Sequence, residues 1–213
     1  MARIPAPPQS TDTMTAAQLD RRRRVLDAVI ELVAAGRLDD MGMKDVAERS
    51  GVALGTIYRY FSSRDHVAAA ALAEWARMLD GRHAAASARS AAAGSPAAAG
   101  DGETMADRLV AILRRAVRAY QRQPNFAHLL ILAATSTDPF ASECYAQMGT
   151  SVYDTLGTAL DDLDPVERRR VLDVVGAVWY QAMIEWVNDR KTIAQVYEAV
   201  ESAARLVLAG YER

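Results

Sequence analysis

The sequence predicts an all-α fold of about nine helices, with a small N-terminal three-helix unit that contains a helix-turn-helix and a larger C-terminal helical domain. Three observations predict it. Apolar residues recur with a period near 3.6 in block after block, no segment shows the strict alternation of a strand, and Gly and Pro fall where helices stop and start. With 213 residues, 51% hydrophobic and 24% charged, the chain is globular rather than disordered and long enough to bury a sizeable core.

Residues 1–15 contain Pro, Ser and Thr without period and read as a flexible arm. The first helix follows over about Ala16–Ala35, with its stripe at Val25, Leu26, Val29, Ile30, Leu32 and Val33, and Gly36 ends it. A second short helix runs from about Met43 to Ser50, Gly51 breaks it, and a third begins near Leu54. Ser62 is placed to cap a fourth helix that starts near Ser63 and continues through "HVAAAALAEWARMLD". Residues 86–102 are Ala/Gly/Ser-rich and predict a mobile loop. Four further helical blocks follow, roughly Glu103–Gln123, Pro124–Ser136, Pro139–Leu163 and Pro165–Asp189, three of them opening on a proline whose missing N–H costs nothing there. The last helix spans about Thr192–Ala209. The division expected is an arm (1–15), a helix-turn-helix domain (16–66) and a C-terminal domain (67–213).

The net charge of −2 excludes a protein coated in basic surface, but the charge is uneven. Residues 49–64 hold Arg49, Arg59 and Arg64 and no acid, a local basic footprint of the kind nucleic-acid binding needs. A single cysteine, Cys144, excludes an internal disulfide, and Glu143 beside it would raise its pKa. The N-terminus lacks an apolar signal-peptide region and the longest apolar runs are too short to span a bilayer, so the expectation is a cytoplasmic protein without a membrane partner. His66, at the start of the fourth helix, reads as exposed and His128 as a core or pocket-rim histidine; neither they nor His83 have a metal-ligand partner at helical spacing, and no Walker or dinucleotide-binding glycine pattern occurs. The sequence therefore predicts no catalytic constellation, no metal and no cofactor.

What remains is the stretch "SGVALGTIYRYF" at 50–61. Counted from Met43, Ala47 is fifth, Gly51 ninth and Ile57 fifteenth. A helix-turn-helix needs a small residue where its helices touch, a glycine able to take positive φ in the turn, and a branched apolar residue beneath the second helix. Ile57 and Phe61 share an inward face by i, i+4 spacing. Thr56, Arg59 and Tyr60 are placed on an outward face, with Tyr58 at its edge. Hydroxyls of Thr and Tyr suit phosphate oxygens, Arg suits phosphates or guanine edges, and the first turn offers free N–H groups. The alternative is that the tyrosines are half-buried core aromatics.

The stretch Lys44–Val67, "KDVAERSGVALGTIYRYFSSRDHV", resembles the DNA-binding domain of the TetR family of bacterial repressors. The resemblance implies that Lys44, Thr56, Tyr58, Tyr60 and Arg64 contact the DNA backbone and that Leu54, Gly55 and Arg59 are placed to read bases. It also implies a homodimer on a palindromic double-stranded operator, with a ligand pocket in the C-terminal domain. Gly42 stands where the family has a capping threonine, which puts one phosphate contact in doubt, and Arg64 replaces the usual lysine. The run Arg21–Arg24 has two readings. Arg21 and Arg22 anchor flanking phosphates or the minor groove, or the run is a solvated face paired to Asp20 and Asp27.

In the C-terminal half, Leu113, Phe126, Leu130, Met148, Trp179 and Met183 are the candidates to line a cavity, since Met adapts to irregular space. Each alone reads better as core, and the pocket is implied by the family resemblance rather than by periodicity. The last two long helices are apolar on more than one face, as a two-helix dimer interface requires. "AYQRQPNF", "DPFASE" and "VWYQAMIEWVNDR" are similar to the actinobacterial cholesterol-catabolism repressors of the same family, which implies a bulky apolar or acyl-CoA-like effector. The rival expectation is an all-α lipid-like ligand-binding protein or enzyme whose N-terminal helices are only structural.

Overall fold

The computed structural model describes residues 7–92 and 103–211, for 82–92 the backbone only. Among the described residues it is all-helical, with nine α-helices and two 3-10 turns. The helices are α1 (Ala16–Ala34), α2 (Met43–Ser50), α3 (Leu54–Tyr60), α4 (Arg64–Ala92), α5 (Met105–Arg122), α6 (Asn125–Thr135), α7 (Pro139–Gly157), α8 (Pro165–Val187) and α9 (Ile193–Leu208). The chain folds as two compact units. One comprises the described residues up to Met78 together with His128–Met148, and the other Leu79–Ala127 with Gly149 onward. A segment from the middle of the chain, His128–Met148, thus joins the N-terminal helices in one unit, where the sequence divides the chain at 66/67.

In the first unit, α1 begins with a reciprocal cap. Thr15 N–H donates to Gln18 Oε1 at 2.7 Å, and Gln18 N–H to Thr15 Oγ1 at 3.4 Å. It ends where Gly36 takes φ 76° and Arg37 N–H reaches back to the Leu32 carbonyl at 3.0 Å. Helix α2 opens on Gly42, whose N–H is taken by Asp45 Oδ2 at 2.8 Å, and the bond holds the Asp45 carboxyl below its usual range. It closes on Gly51 at φ 64°, the left-handed turn expected of the helix-turn-helix. The three helices pack on one another around Val25, Val29, Val33, Val46, Val52, Ile57 and Phe61, all essentially inaccessible to water. At about 25 cal/mol per Å² of apolar surface, such a cluster is what holds a seven-residue helix that could not exist alone.

Helix α4 is capped by Ser63, whose Oγ accepts from His66 N–H at 3.0 Å, and not by Ser62. It runs through Ala92, into the Ala-rich stretch expected to be a loop; residues 93–102 of that loop and 1–6 of the arm lie outside the described residues.

In the second unit, α5 buries Leu109, Val110, Leu113, Val117 and Tyr120 and packs against α9, which in turn packs on α8. Ion pairs from Arg114 to Glu201 and from Arg205 to Asp107 rim the α5–α9 contact. Thr104, Asp164 and Thr192 cap α5, α8 and α9. The block expected to run to Leu163 stops at Gly157 and tightens into a 3-10 turn over Thr158–Leu160.

Candidate nucleic-acid interface

The outer surface of α3 is built by subtraction. Ile57 and Phe61 are fully buried, and so, against expectation, is Tyr60, which is 2% exposed. Tyr60 lies three residues from Ile57 and therefore on the buried face, and its hydroxyl accepts from Arg21 Nε at 3.4 Å. Tyr58 is the exposed tyrosine, 51% accessible, beside exposed Arg59 and Gly55 and half-buried Leu54 and Thr56. Nothing stands within 4 Å of a Cβ built on Gly55, so this turn presents bare backbone to whatever approaches. Lys44, on α2, is exposed as well.

Arg64 is placed differently from the reading that gave it to phosphate. Its guanidinium donates to the Leu38 carbonyl and, at 3.5 Å, to that of Asp39, so it closes the loop between α1 and α2. The Arg21–Arg24 run is likewise divided by the helix. Arg22 points inward, its guanidinium 5.1 Å from the centre of the Phe61 ring, and burial works against its charge while Cys144 and Glu74 favour it. Arg23 and Arg24 pair with Asp20 at 3.1 and 3.4 Å. Arg21 is half-buried against Tyr60. The solvated-face reading thus fits Arg23 and Arg24, and the half-buried position of Arg22 over Phe61 fits neither reading.

Sequence reasoning missed the cluster behind the recognition face. His66, expected to be exposed, is 6% accessible. Its ring stacks on Phe140 with centroids 5.6 Å apart and meets the Phe61 ring edge-on at 5.3 Å. Ser62 N–H donates to His66 Nδ1 at 3.1 Å. Burial pushes the imidazole pKa down to about 4; the Asp138 carboxylate works against that shift and Arg22 with it. Asp138 Oδ1 accepts from Phe140 N–H at 2.8 Å and Ala141 N–H at 3.1 Å, capping α7, while Oδ2 accepts from Ser62 Oγ at 3.4 Å. Burial alone would raise the Asp138 pKa, but hydrogen bonds from Ser63, Ala141 and Phe140 hold it below its usual range. No local spacing announces a partner seventy residues away.

Of the six residues expected to line a cavity, Leu130 and Met148 belong to the first unit, and Leu113, Phe126, Trp179 and Met183 to the second. Leu113, Phe126, Leu130 and Met183 are buried, and Met148 and Trp179 half-buried. In the second unit Trp179 lies 5.9 Å from the Tyr120 ring, and its buried indole N–H has no hydrogen-bond partner. His128 is exposed rather than core. Burial raises the Cys144 thiol pKa, Arg22 opposes this, and Glu143 and Asp138 add to it. Among the described residues no helix is long and apolar enough to cross a membrane.

Residues 25–71 match the bacterial regulatory proteins of the tetR family, and residues 102–207 match the tetracyclin repressor-like C-terminal domain. The chain is 30% identical over 198 residues to the HTH-type transcriptional repressor KstR of Rhodococcus jostii, covering 92% of this chain and 87% of that one. It is 29% identical over 193 residues to KstR of Mycobacterium tuberculosis, covering 90% and 82%. Among solved structures, a TetR transcriptional regulator from a Rhodococcus species superposes with a TM-score of 0.75 at 24% identity, covering 92% of this chain and 99% of that one. FadR of Bacillus subtilis, solved with stearoyl-CoA, superposes with a TM-score of 0.61 at 16% identity, covering 88% and 98%.

Proposed function

The chain belongs to the TetR family of DNA-binding transcriptional regulators, and from that premise we propose that it acts as a homodimeric repressor released from a palindromic operator by a bulky apolar or acyl-CoA-like ligand. The observation that carries the DNA-reading part is the exposed surface of α3. Tyr58 and Arg59 project from a helix that is anchored inward through Ile57 and Tyr60 and leaves Leu54 half-buried beside them. Arg59 reads base edges with Leu54 and Gly55 beside it, while Tyr58, Thr56 and Lys44 hold phosphates. Tyr60 and Arg64 act behind that surface, as packing and loop closure.

Exposed apolar side chains on α8 and α9 support the homodimer. Val166, Val174 and Leu206 lie open to solvent, Leu206 at 77%, on helices whose opposite faces are already packed. A palindromic operator requires two recognition helices about 34–36 Å apart, which a second copy supplies. Changing Leu206 to Glu tests this, since sedimentation should then show a monomer with weakened operator binding.

The ligand part draws on the unpartnered Trp179 indole N–H, a donor that a carbonyl or thioester oxygen would satisfy amid apolar surroundings. The fold likeness to FadR, solved with stearoyl-CoA, supports the same reading. Such a ligand releases DNA only if it binds the two conformers unequally. Titrating medium- and long-chain or sterol acyl-CoA thioesters into the protein–operator complex tests it, and release by none of them would refute this ligand class. The role is regulation and not catalysis, and we infer that the protein acts in the cytoplasm, where its operator would lie.

A further inference from the structure

The segment before α1, expected to be a flexible arm, is ordered where it is described. Ser10 closes a 3-10 turn over Thr11–Thr13, its carbonyl accepting from Thr13 N–H at 3.1 Å and from Thr13 Oγ1 at 2.8 Å. Met14 N–H then bonds the Thr11 carbonyl at 3.1 Å, and the Met14 side chain is buried. One end of this strap is therefore fixed at the start of α1. The other end reaches α3, where Gln9 N–H donates to the Arg59 carbonyl at 2.9 Å. The Gln9 side chain is held too, its Oε1 accepting from Gln18 Nε2 at 3.4 Å, the same Gln18 that caps α1.

The Arg59 carbonyl is one of the last four of α3 and has no acceptor role inside the helix. In a seven-residue helix the terminal turn frays unless something outside it takes those carbonyls. The inner edge of the turn is anchored by Tyr60 and its contact with Arg21. The strap supplies the anchor on the outer edge, beside the exposed Arg59 side chain. Pro7 and Pro8 precede Gln9 and fix φ near −65°, so the chain arrives stiff and loses less entropy when the bond forms.

We propose that residues 7–14 are a positioning strap for the recognition helix, with Gln9 as its positioning residue, and that the Gln9–Arg59 backbone bond sets how Tyr58 and Arg59 are presented to DNA. This rests on the reading of α3 as the DNA-reading helix. The effect of losing the Gln9 bond is on discrimination between sequences rather than on the core, because Gln9 is polar and half-buried and the buried anchor of the strap, Met14, stays in place.

The test compares wild type, Gln9→Pro, which deletes the N–H donor, and Gln9→Ala, which keeps it and removes only the Gln18 contact. Affinity is measured for a duplex from upstream of the protein's own gene and for a scrambled duplex, alongside Tm. The strap predicts that Gln9→Pro weakens the specific complex by roughly two- to tenfold, the worth of one hydrogen bond, with the scrambled complex and Tm unchanged. Gln9→Ala should lose less. Equal loss on both duplexes with a lowered Tm, or an unchanged ratio in a discriminating background, overturns the strap. A wild type that does not discriminate overturns the DNA-reading assignment itself, and the strap with it. Amide exchange in wild type adds a check that needs no variant, since an unprotected Gln9 N–H would refute the bond directly.

Discussion

Ser136 Oγ donates to Asp65 Oδ2 across 2.8 Å, joining the turn between α6 and α7 to the first turn of α4. Together with the bond from Ser62 to Asp138, it ties the junction behind the recognition helix to a segment far along the chain. Both bonds end on carboxylates, the stronger class of hydrogen bond. A double-mutant cycle on Ser136→Ala and Asp65→Ala should return a coupling of about 1 kcal/mol in urea unfolding. Strict additivity of the two single changes would remove this link.

His66 makes the fold sensitive to acid. Its pKa is near 4 when folded and near 6.5 when unfolded, so below pH 6.5 the unfolded chain binds the proton first. Stability is then full above about pH 6.5 and falls as pH drops toward 4, by roughly 3 kcal/mol in total for this one group. The flanking Asp138 carboxylate titrates lower still and adds its loss only beyond that window. Urea midpoints followed from pH 7 to 4 should show this slope in wild type and a shallower one in His66→Phe.

Tyr58 and Tyr60 should separate by kind of defect. Tyr58→Ala and Arg59→Ala should abolish operator binding while Tm stays within a few degrees, because both side chains are exposed. Tyr60→Ala should cost about 3 kcal/mol of stability through the cavity it leaves. Thermal melts beside DNA binding distinguish the two outcomes.

Asp189 sits at φ 56°, just past α8, where Asp189 N–H bonds the Trp186 carbonyl at 3.1 Å and Arg190 N–H bonds that of Glu185 at 2.8 Å. This is a helix end that favours glycine. Asp189→Gly should stabilise the protein by about 1 kcal/mol, read as a raised urea midpoint with unchanged m.

The elements were legible in the sequence because each announces itself locally. Gly36 and Gly51 take the positive φ their positions required, and Thr15, Thr104, Asp164 and Thr192 cap helices that begin within a residue or two of the expected starts. Side-chain direction was less legible. Tyr60 is four residues from Thr56 and three from Ile57, so periodicity alone assigns it to either face, and only the packing of α1 against α3 decides. His66 and Arg22 were misplaced for a different reason. Phe140 stacks on His66, and Asp138 and Cys144 act electrostatically on His66 and Arg22; all three come from a segment whose return to the N-terminal helices leaves no mark in the local pattern.

The central claim is sequence-specific DNA binding through the surface of α3. The most direct measurement is fluorescence anisotropy with a duplex from upstream of the protein's own gene against a scrambled duplex, across a salt series. The account predicts tight binding to the first, a preference of about a thousandfold or more over the second, and log affinity that falls steeply with log salt. Equal binding to both duplexes, or none to either, would contradict it.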